Sequence, residues 1–100
     1  MKERNVILSP EARGDLIALY DWIAAAAHPV TALGYIERIE AFLRGLRIGS
    51  ERGTRRDDIR AGLRIVSFER RVTVAFTVDA ASVVILRIFC AGRNWEAVMA

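Results

Sequence analysis

Four arginines crowd the stretch GTRRDDIRAGLR, residues 53–64, together with two aspartates and two glycines. A guanidinium group stays charged near neutral pH and binds a phosphate or a carboxylate through two parallel hydrogen bonds. Such a stretch can therefore grip a nucleic acid, meet an acidic protein, stabilise charge in an active site or solvate a loop. We predict that its first two arginines pair with the adjacent aspartates or with solvent. Arg60 and Arg64 are the better candidates for functional contacts.

Side chains able to transfer protons are scarce. The single histidine, His28, precedes Pro29 and is predicted to be a helix-turn residue, and the single cysteine, Cys90, is predicted to be a small buried apolar residue at a strand end. No tyrosine, histidine or lysine follows Tyr35. Because general acid–base catalysis near pH 7 relies on such groups, the basic half of the chain is predicted to bind rather than to catalyse, and no catalytic residue is assigned.

Cofactor and metal sites are not predicted either. One cysteine and one histidine exclude an internal disulfide framework and a clustered Cys/His metal site. The glycines match neither a dinucleotide-binding fingerprint nor a phosphate-binding loop. We therefore expect no cofactor, no metal and no small-molecule substrate.

Length and composition predict one globular domain over residues 1–100, with 53% apolar residues. No apolar stretch approaches the roughly 18 residues of a spanning helix, and the first residues lack the pattern of a signal peptide, so we expect a cytoplasmic protein without a membrane partner. The formal charge is +3. Residues 51–100 carry all of this excess, which permits a nucleic-acid partner without requiring one.

Periodicity predicts the order strand, helix, helix and three strands. Residues 4–9 form the first strand, and Ser9, Pro10 and Glu11 begin a helix that ends before Pro29. A second helix extends to Gly49, a loop covers 49–61, strands cover 63–68, 71–78 and 83–89, and 95–100 is a tail or short terminal turn. The predicted class is α+β: an antiparallel helical hairpin lies on one face of a mainly antiparallel sheet, which a C-terminal three-stranded meander completes.

The other face of this sheet is predicted to be partly uncovered. Arg64, Arg87 and the threonines of strand 71–78 are expected to project from it. Arg87 interrupts an otherwise apolar strand, so it requires either a partner or an open face.

The order and spacing of these motifs resemble the RelE/ParE toxin superfamily, and its ParE branch most. The likeness covers almost the whole chain. The matching residues are Leu8, Ser9, Pro10, Glu11, Ala12, Gly53, Arg55, Asp58, Ile59, Arg60, Gly62, Leu63, Arg64, Phe76, Val78, Ile85, Leu86, Arg87, Ile88, Gly92, Arg93 and Asn94.

The resemblance implies the toxin of a type II toxin–antitoxin pair. ParE-like members poison DNA gyrase and are neutralised by a ribbon-helix-helix antitoxin, resembling ParD, whose C-terminal segment wraps the toxin and through which alone operator DNA is bound. Two alternatives stay open. One is a ribosome-dependent mRNA endonuclease of the RelE branch, and the other is a non-toxic member that retains antitoxin binding.

Five residues are the resulting candidates for antitoxin or target contacts. Arg60, Arg64, Arg87 and Arg93 supply charge, and Trp95 with the C-terminal tail is a candidate for contact with the target. Trp22 is expected to face the core or to be covered by the antitoxin. Many ParE relatives carry histidine at the position of Cys90 and aspartate at the position of Asn94, and these two departures leave toxicity open.

Overall fold

The computed structural model describes residues 3–90 and 92–100 as a helical layer on a five-stranded sheet. The predicted α+β class is confirmed. Among the described residues, no helix is both long and apolar enough to cross a membrane. In chain order the elements are β1 (Asn5–Leu8), α1 (Pro10–Ala26), α2 (Pro29–Gly45), β2 (Thr54–Arg55), β3 (Arg64–Phe68), β4 (Val72–Val78), β5 (Ser82–Cys90) and α3 (Trp95–Met99).

The strands lie in the order β1-β5-β4-β3-β2. Strands β2 to β5 pair antiparallel, whereas β1 pairs parallel with β5 from Asn5↔Ser82 to Leu8↔Ile85. The register of β4 against β5 shifts between Ala75 and Phe76. The mainly antiparallel sheet is therefore confirmed, and its last strand is an interior one, as its apolar character predicts.

Side-chain caps and prolines define where both long helices begin. The Ser9 hydroxyl accepts a hydrogen bond from the Ala12 N–H at 3.0 Å, and Pro10 is the first helical residue of α1. In α2, His28 Nδ1 accepts from the Val30 N–H at 3.1 Å. The expected turn role of His28 is thus confirmed, and it supplies the cap of α2.

Apolar side chains form a core on each face of the sheet. The larger core joins α1 and α2 to the sheet and contains Leu16, Ile39, Phe76 and Ile85 among its buried residues. The smaller core lies on the opposite face, beneath α3, and its buried members are Leu63, Ala75, Phe89 and Met99. The C-terminal tail is therefore a packed helix, and the second face is less open than the sequence predicted.

Three other expectations about local structure are wrong. Strand β2 lies within the predicted loop 49–61, because Thr54 and Arg55 pair with the start of β3. Helix α2 ends at Gly45 rather than near Gly49. Cys90 is exposed rather than buried, since it lies at the last position of β5, where β1 no longer runs beside that strand.

Arg64 and Arg87 do not share an open face of the sheet. Arg64 is paired with Phe76, so its side chain lies on the face covered by α1 and α2. Arg87 pairs with Ala75 on the opposite face, but its guanidinium reaches Asp15 of α1. The prediction that both arginines project from one face is wrong. Their partners Phe76 and Ala75 are adjacent residues of β4 and therefore face opposite sides of the sheet.

The tight turn between β3 and β4 contains two non-glycine residues with left-handed backbone. Glu69 has φ 50° and Arg70 has φ 58°, values that usually select asparagine and glycine in a two-residue hairpin. Arg38 of α2 holds this turn through Nε and Nη2, which donate to the Glu69 carboxylate at 3.0 and 3.2 Å. The turn therefore combines backbone strain with a tie to the helical layer.

Replacing Arg70 with glycine is expected to stabilise the fold by about 1 kcal/mol, because a left-handed conformation costs an L-residue about 1–2 kcal/mol and glycine loses part of that gain through its freer unfolded state. The midpoint of thermal unfolding should rise by about 4–8 °C. Arg71→Gly is the matched control, since Arg71 is exposed and outside the positive-φ positions. A lower unfolding midpoint for Arg70→Gly would contradict backbone strain at Arg70.

Candidate functional site

Four arginines surround the small C-terminal helix, and we call them with Trp95 the arginine cluster: Arg56, Arg60, Arg87, Arg93 and Trp95. They come from the loop before β3, from β5 and from the segment leading into α3. The structure thus brings together four of the five residues predicted from the sequence.

Arg87 is held by Asp15 in a half-buried ion pair. Its Nε and Nη2 donate to the two carboxylate oxygens of Asp15 at 2.8 and 3.0 Å, and the hydrogen bonds to Asp15 raise the pKa of Arg87. Asp15 also accepts the Ile88 N–H at 2.8 Å. The guanidinium lies 5.2 Å from the centroid of the Phe89 ring. Arg87 therefore has the partner that its apolar strand requires.

Arg56 ties α3 to the loop before β3. Its Nε and Nη2 donate to Asp58 at 3.0 Å each, and Nη2 also donates to Glu96 at 2.9 Å. The guanidinium lies 5.3 Å from the centroid of the Trp95 ring. The predicted pairing of this arginine with a neighbouring aspartate is confirmed, as is that of Arg55 with Asp57.

Arg60 and Arg87 line a cavity of about 230 Å³ between the start of α1 and α3, together with Leu86 and Met99. Arg60 is exposed, and Arg93 lies 6.0 Å from the centroid of the Phe89 ring. Arg64 lies apart from this group and directs Nη1 toward the Arg52 carbonyl at 3.4 Å. The cluster is thus an arrangement of cations over aromatic rings.

Groups of this region are poorly suited to proton transfer. The Gly62 N–H and then Arg55 lower the pKa of Asp57, and Arg56 lowers the pKa of Asp58. Although Cys90 is exposed as a residue, partial loss of water around its thiol raises the pKa of that thiol, and Arg93 opposes the shift. Within residues 3–90 and 92–100, no group of three His, Cys, Asp or Glu side chains is placed to hold a metal ion.

A second feature is an apolar groove at the tip of the helical hairpin. It has a volume of about 840 Å³ and runs between the end of α1, the start of α2 and the adjoining ends of β4 and β5. Trp22 lies on its wall with 67% of its surface exposed. We call this the hairpin groove; its lining residues are Leu19, Trp22, Ile23, Ala26, Ala27, Thr31, Tyr35, Arg38, Arg71, Val72 and Cys90.

The groove has a charged rim beside an unusual tyrosine. The Tyr35 hydroxyl oxygen is covered and has no hydrogen-bond partner among the described residues. Loss of water raises the pKa of Tyr35, Glu69 adds to that shift, and Arg71 and Arg38 oppose it. Arg38 also lies 5.0 Å above the Tyr35 ring. Two cations and one unpaired hydroxyl therefore meet at one end of an apolar groove.

An open edge of β5 adjoins the same groove. Because Ile88 directs its N–H toward Asp15, the alternation of an antiparallel ladder directs the Ile88 carbonyl and the Cys90 N–H to the same side. Strand β1 ends at Leu8, opposite Ile85, so it does not reach these groups. The edge offers backbone groups to an extended segment lying beside α1.

The sequence matches a known protein family over most of its length. Residues 6–95 match the sequence model of the family described as the ParE toxin of the type II toxin–antitoxin system parDE. The chain belongs to this ParE toxin family. It is therefore a toxin of the RelE/ParE superfamily from a type II toxin–antitoxin system.

Solved structures agree with the family. A chain of the chromosomal ParDE toxin–antitoxin system from P. aeruginosa is 26% identical, with a TM-score of 0.77 over 88% of this chain and 96% of that chain. A chain of the RelBE2 toxin–antitoxin complex from Mycobacterium tuberculosis, 23% identical, shares the fold with a TM-score of 0.60 over 93% of this chain and 97% of that chain. No curated protein matches the sequence.

Sequence reasoning about this ParE-family chain missed two features. Arg56 was assigned only a local pairing, yet it also contacts Glu96 and Trp95. The hairpin groove was missed because its walls come from both halves of the chain. Its signal was Trp22, three residues after the buried Leu19. Of the two expectations for Trp22, contact with the core is wrong because the residue is exposed, and cover by the antitoxin stays a prediction.

Breaking the pair between Asp15 and Arg87 is expected to destabilise the fold. Asp15→Asn keeps an acceptor for the Ile88 N–H but leaves the half-buried Arg87 charge without its counterion, so the free energy of unfolding should fall by about 2 kcal/mol. Arg87→Met should cost a similar amount.

Urea denaturation of both variants and of the double variant forms a double-mutant cycle. The double variant should lose clearly less than the sum of the single losses. Strict additivity would contradict a coupled pair.

Proposed function

We propose that this chain is a gyrase-poisoning toxin that a ParD-like antitoxin neutralises by occupying the hairpin groove. The observation that carries the neutralisation is the exposed Trp22 on the wall of an 840 Å³ apolar groove that also carries two arginines. Gyrase and an antitoxin bound to operator DNA are both cytoplasmic, so the proposal places the toxin there. The chain itself meets operator DNA only through the antitoxin.

An amphipathic helix fits the apolar part of the groove. Trp22 supplies the kind of exposed aromatic surface that dominates binding energy at protein interfaces. Arg38 and Arg71 favour acidic residues in the bound segment, which increases the association rate and fixes its orientation. The structures similar to this chain belong to toxin–antitoxin systems, which supports a protein rather than a small molecule as the occupant.

The open edge of β5 suits an extended continuation of the same segment. An added strand gains main-chain hydrogen bonds from the Ile88 carbonyl and the Cys90 N–H without requiring a particular sequence. The groove and this edge are adjacent at Cys90. One segment containing a helix followed or preceded by a strand can therefore cover both.

Trp22→Ala is expected to weaken antitoxin binding by at least 30-fold while leaving thermal stability nearly unchanged, because an exposed anchor residue contributes to the interface and little to the fold. The probe is the cognate ParD-like antitoxin, and calorimetry measures its dissociation constant. Ile48→Ala is the control, since Ile48 is 37% exposed and lies beyond the other end of α2. Equal losses in both variants would contradict a dominant role of the groove.

The target argument rests on the arginine cluster. Arginine binds charge but does not readily exchange protons, and no tyrosine, histidine or lysine follows Tyr35 in the sequence. The neighbouring Asp57 and Asp58 have lowered pKa values. This chemistry favours a toxin that acts by binding. We assign target or antitoxin contacts to Arg60, Arg64, Arg87, Arg93 and Trp95, and no catalytic residue.

The experiment for the target is gyrase supercoiling of relaxed plasmid with antitoxin-free toxin. Inhibition with accumulation of cleaved DNA, reversed by the antitoxin, is the expected outcome. Arg60→Ala should weaken inhibition without loss of stability, since Arg60 is exposed. Arg13→Ala on the exposed surface of α1 is the matched control.

The two alternatives give different outcomes in the same preparation. A RelE-type endonuclease leaves gyrase active and cuts mRNA within translated codons, and the similarity of fold to a RelBE2 chain is the observation in its favour. A non-toxic member binds the antitoxin but affects neither gyrase nor mRNA. Either result, from folded toxin that binds its antitoxin, would overturn the gyrase proposal.

A further inference from the structure

We infer that Tyr35 and Arg71 form a carboxylate-binding subsite at the end of the hairpin groove, which receives one Asp or Glu side chain of the antitoxin segment. The inference rests on the proposed function, because it takes the antitoxin as the occupant. It adds the chemistry by which one position of that segment is selected.

The first observation is the hydroxyl of Tyr35. It is covered and lacks a hydrogen-bond partner among the described residues. A buried hydroxyl without a partner is unfavourable, and native structures normally satisfy such a group. Tyr35 lines the groove, and the groove residues Arg71 and Arg38 both act on the pKa of its hydroxyl, so the hydroxyl lies near the docking surface. The free toxin leaves a donor unpaired where a partner segment would lie.

The second observation is the uneven use of the two arginines at this rim. Arg38 is committed to Glu69 through two hydrogen bonds, and the Arg38 interaction lowers the pKa of Glu69. Arg71 also lines the groove, is exposed, and forms no ion pair with another described residue. Its charge acts on the Tyr35 hydroxyl. Arg71 is therefore the cation available to an incoming group.

A carboxylate fits these two groups better than a neutral side chain does. Its oxygens accept from the tyrosine O–H and from a guanidinium N–H at the same time, and each bond involves a charge. Because the Tyr35 hydroxyl is covered in the free toxin, the side chains that cover it have to shift for the carboxylate to reach it. An amide offers one acceptor oxygen and no counter-charge, so exchanging carboxylate for amide should weaken the contact.

The strained turn places Arg71 at this position. Glu69 and Arg70 close the hairpin with left-handed backbone, and the Arg38–Glu69 bonds fix the turn against α2. Arg71 follows directly at the start of β4. Glu69 is hydrogen-bonded to Arg38, which lowers the pKa of Glu69 more than Arg71 does.

The test measures dissociation constants of the cognate ParD-like antitoxin for wild-type toxin and two variants. Tyr35→Phe should weaken binding about tenfold or more, and Arg71→Ala by a similar factor, while the unfolding midpoint of Tyr35→Phe is unchanged or higher. A purely structural role of the hydroxyl predicts the opposite pattern, with lower stability and unchanged affinity.

Matched controls are Tyr20→Phe and Arg70→Ala. Tyr20 lies on α1 outside the groove lining, and Arg70 is the exposed neighbour of Arg71 in the turn. Each should leave the dissociation constant within about twofold of wild type. On the antitoxin side, each acidic residue of the C-terminal segment is changed in turn to its amide. One such change should weaken binding to wild-type toxin about tenfold. The same change should hardly weaken binding to the Tyr35→Phe toxin further.

The outcomes separate the two proposals. If wild-type toxin does not bind the antitoxin, the proposed function fails and the subsite fails with it. If wild-type toxin binds and both Tyr35→Phe and Arg71→Ala bind equally well, only the subsite is overturned. If both variants lose affinity but no amide change on the antitoxin is coupled to Tyr35, the assignment of a carboxylate is wrong.

Discussion

One edge of β5 requires hydrogen-bond partners that a single strand does not supply. Buried backbone groups have to be paired, yet β1 accompanies β5 only as far as Ile85. Ser9 supplies the next two hydrogen bonds to β5. Its N–H donates to the Ile85 carbonyl, and its hydroxyl donates to the Leu86 carbonyl at 2.8 Å. The Asp15 carboxylate supplies the following partner by accepting a hydrogen bond from the Ile88 N–H. The junction between β1 and α1 is therefore also the completion of the sheet.

This edge determines which parts of the chain are free to interact. Arg87 is drawn to Asp15 because that carboxylate is already fixed at Ile88. Farther along α1, Leu19, Trp22 and Ile23 line the hairpin groove. Cys90 of β5 lines the same groove and is exposed. The proposed partner-binding surface thus begins where β1 no longer pairs with β5.

Local patterns predicted the elements well. Ser9, Pro10 and Pro29 define the helix starts, and the alternation in β4 defines its two faces, because capping and pleating depend on residues close in sequence. Side-chain partners across the chain were not predictable in this way. The burial of Arg87 against Asp15 depends on the packing of α1 against β5, and β2 is a two-residue strand without periodicity. The orientation of Arg64 required the register of β3.

The family was also accessible from the sequence, because its motifs recur in order along nearly the whole chain. The hairpin groove was not, since Trp22, Tyr35, Arg71 and Cys90 meet only when both halves are assembled.

Completion of the sheet has a consequence for biosynthesis. Ser9 bonds to Leu86, 77 positions away, so the first strand emerges long before its partner exists. Contacts of such sequence separation form slowly, and a chain still being translated holds β1 unpaired until β5 has left the ribosome. The sheet can therefore be completed only after nearly the whole chain has been made.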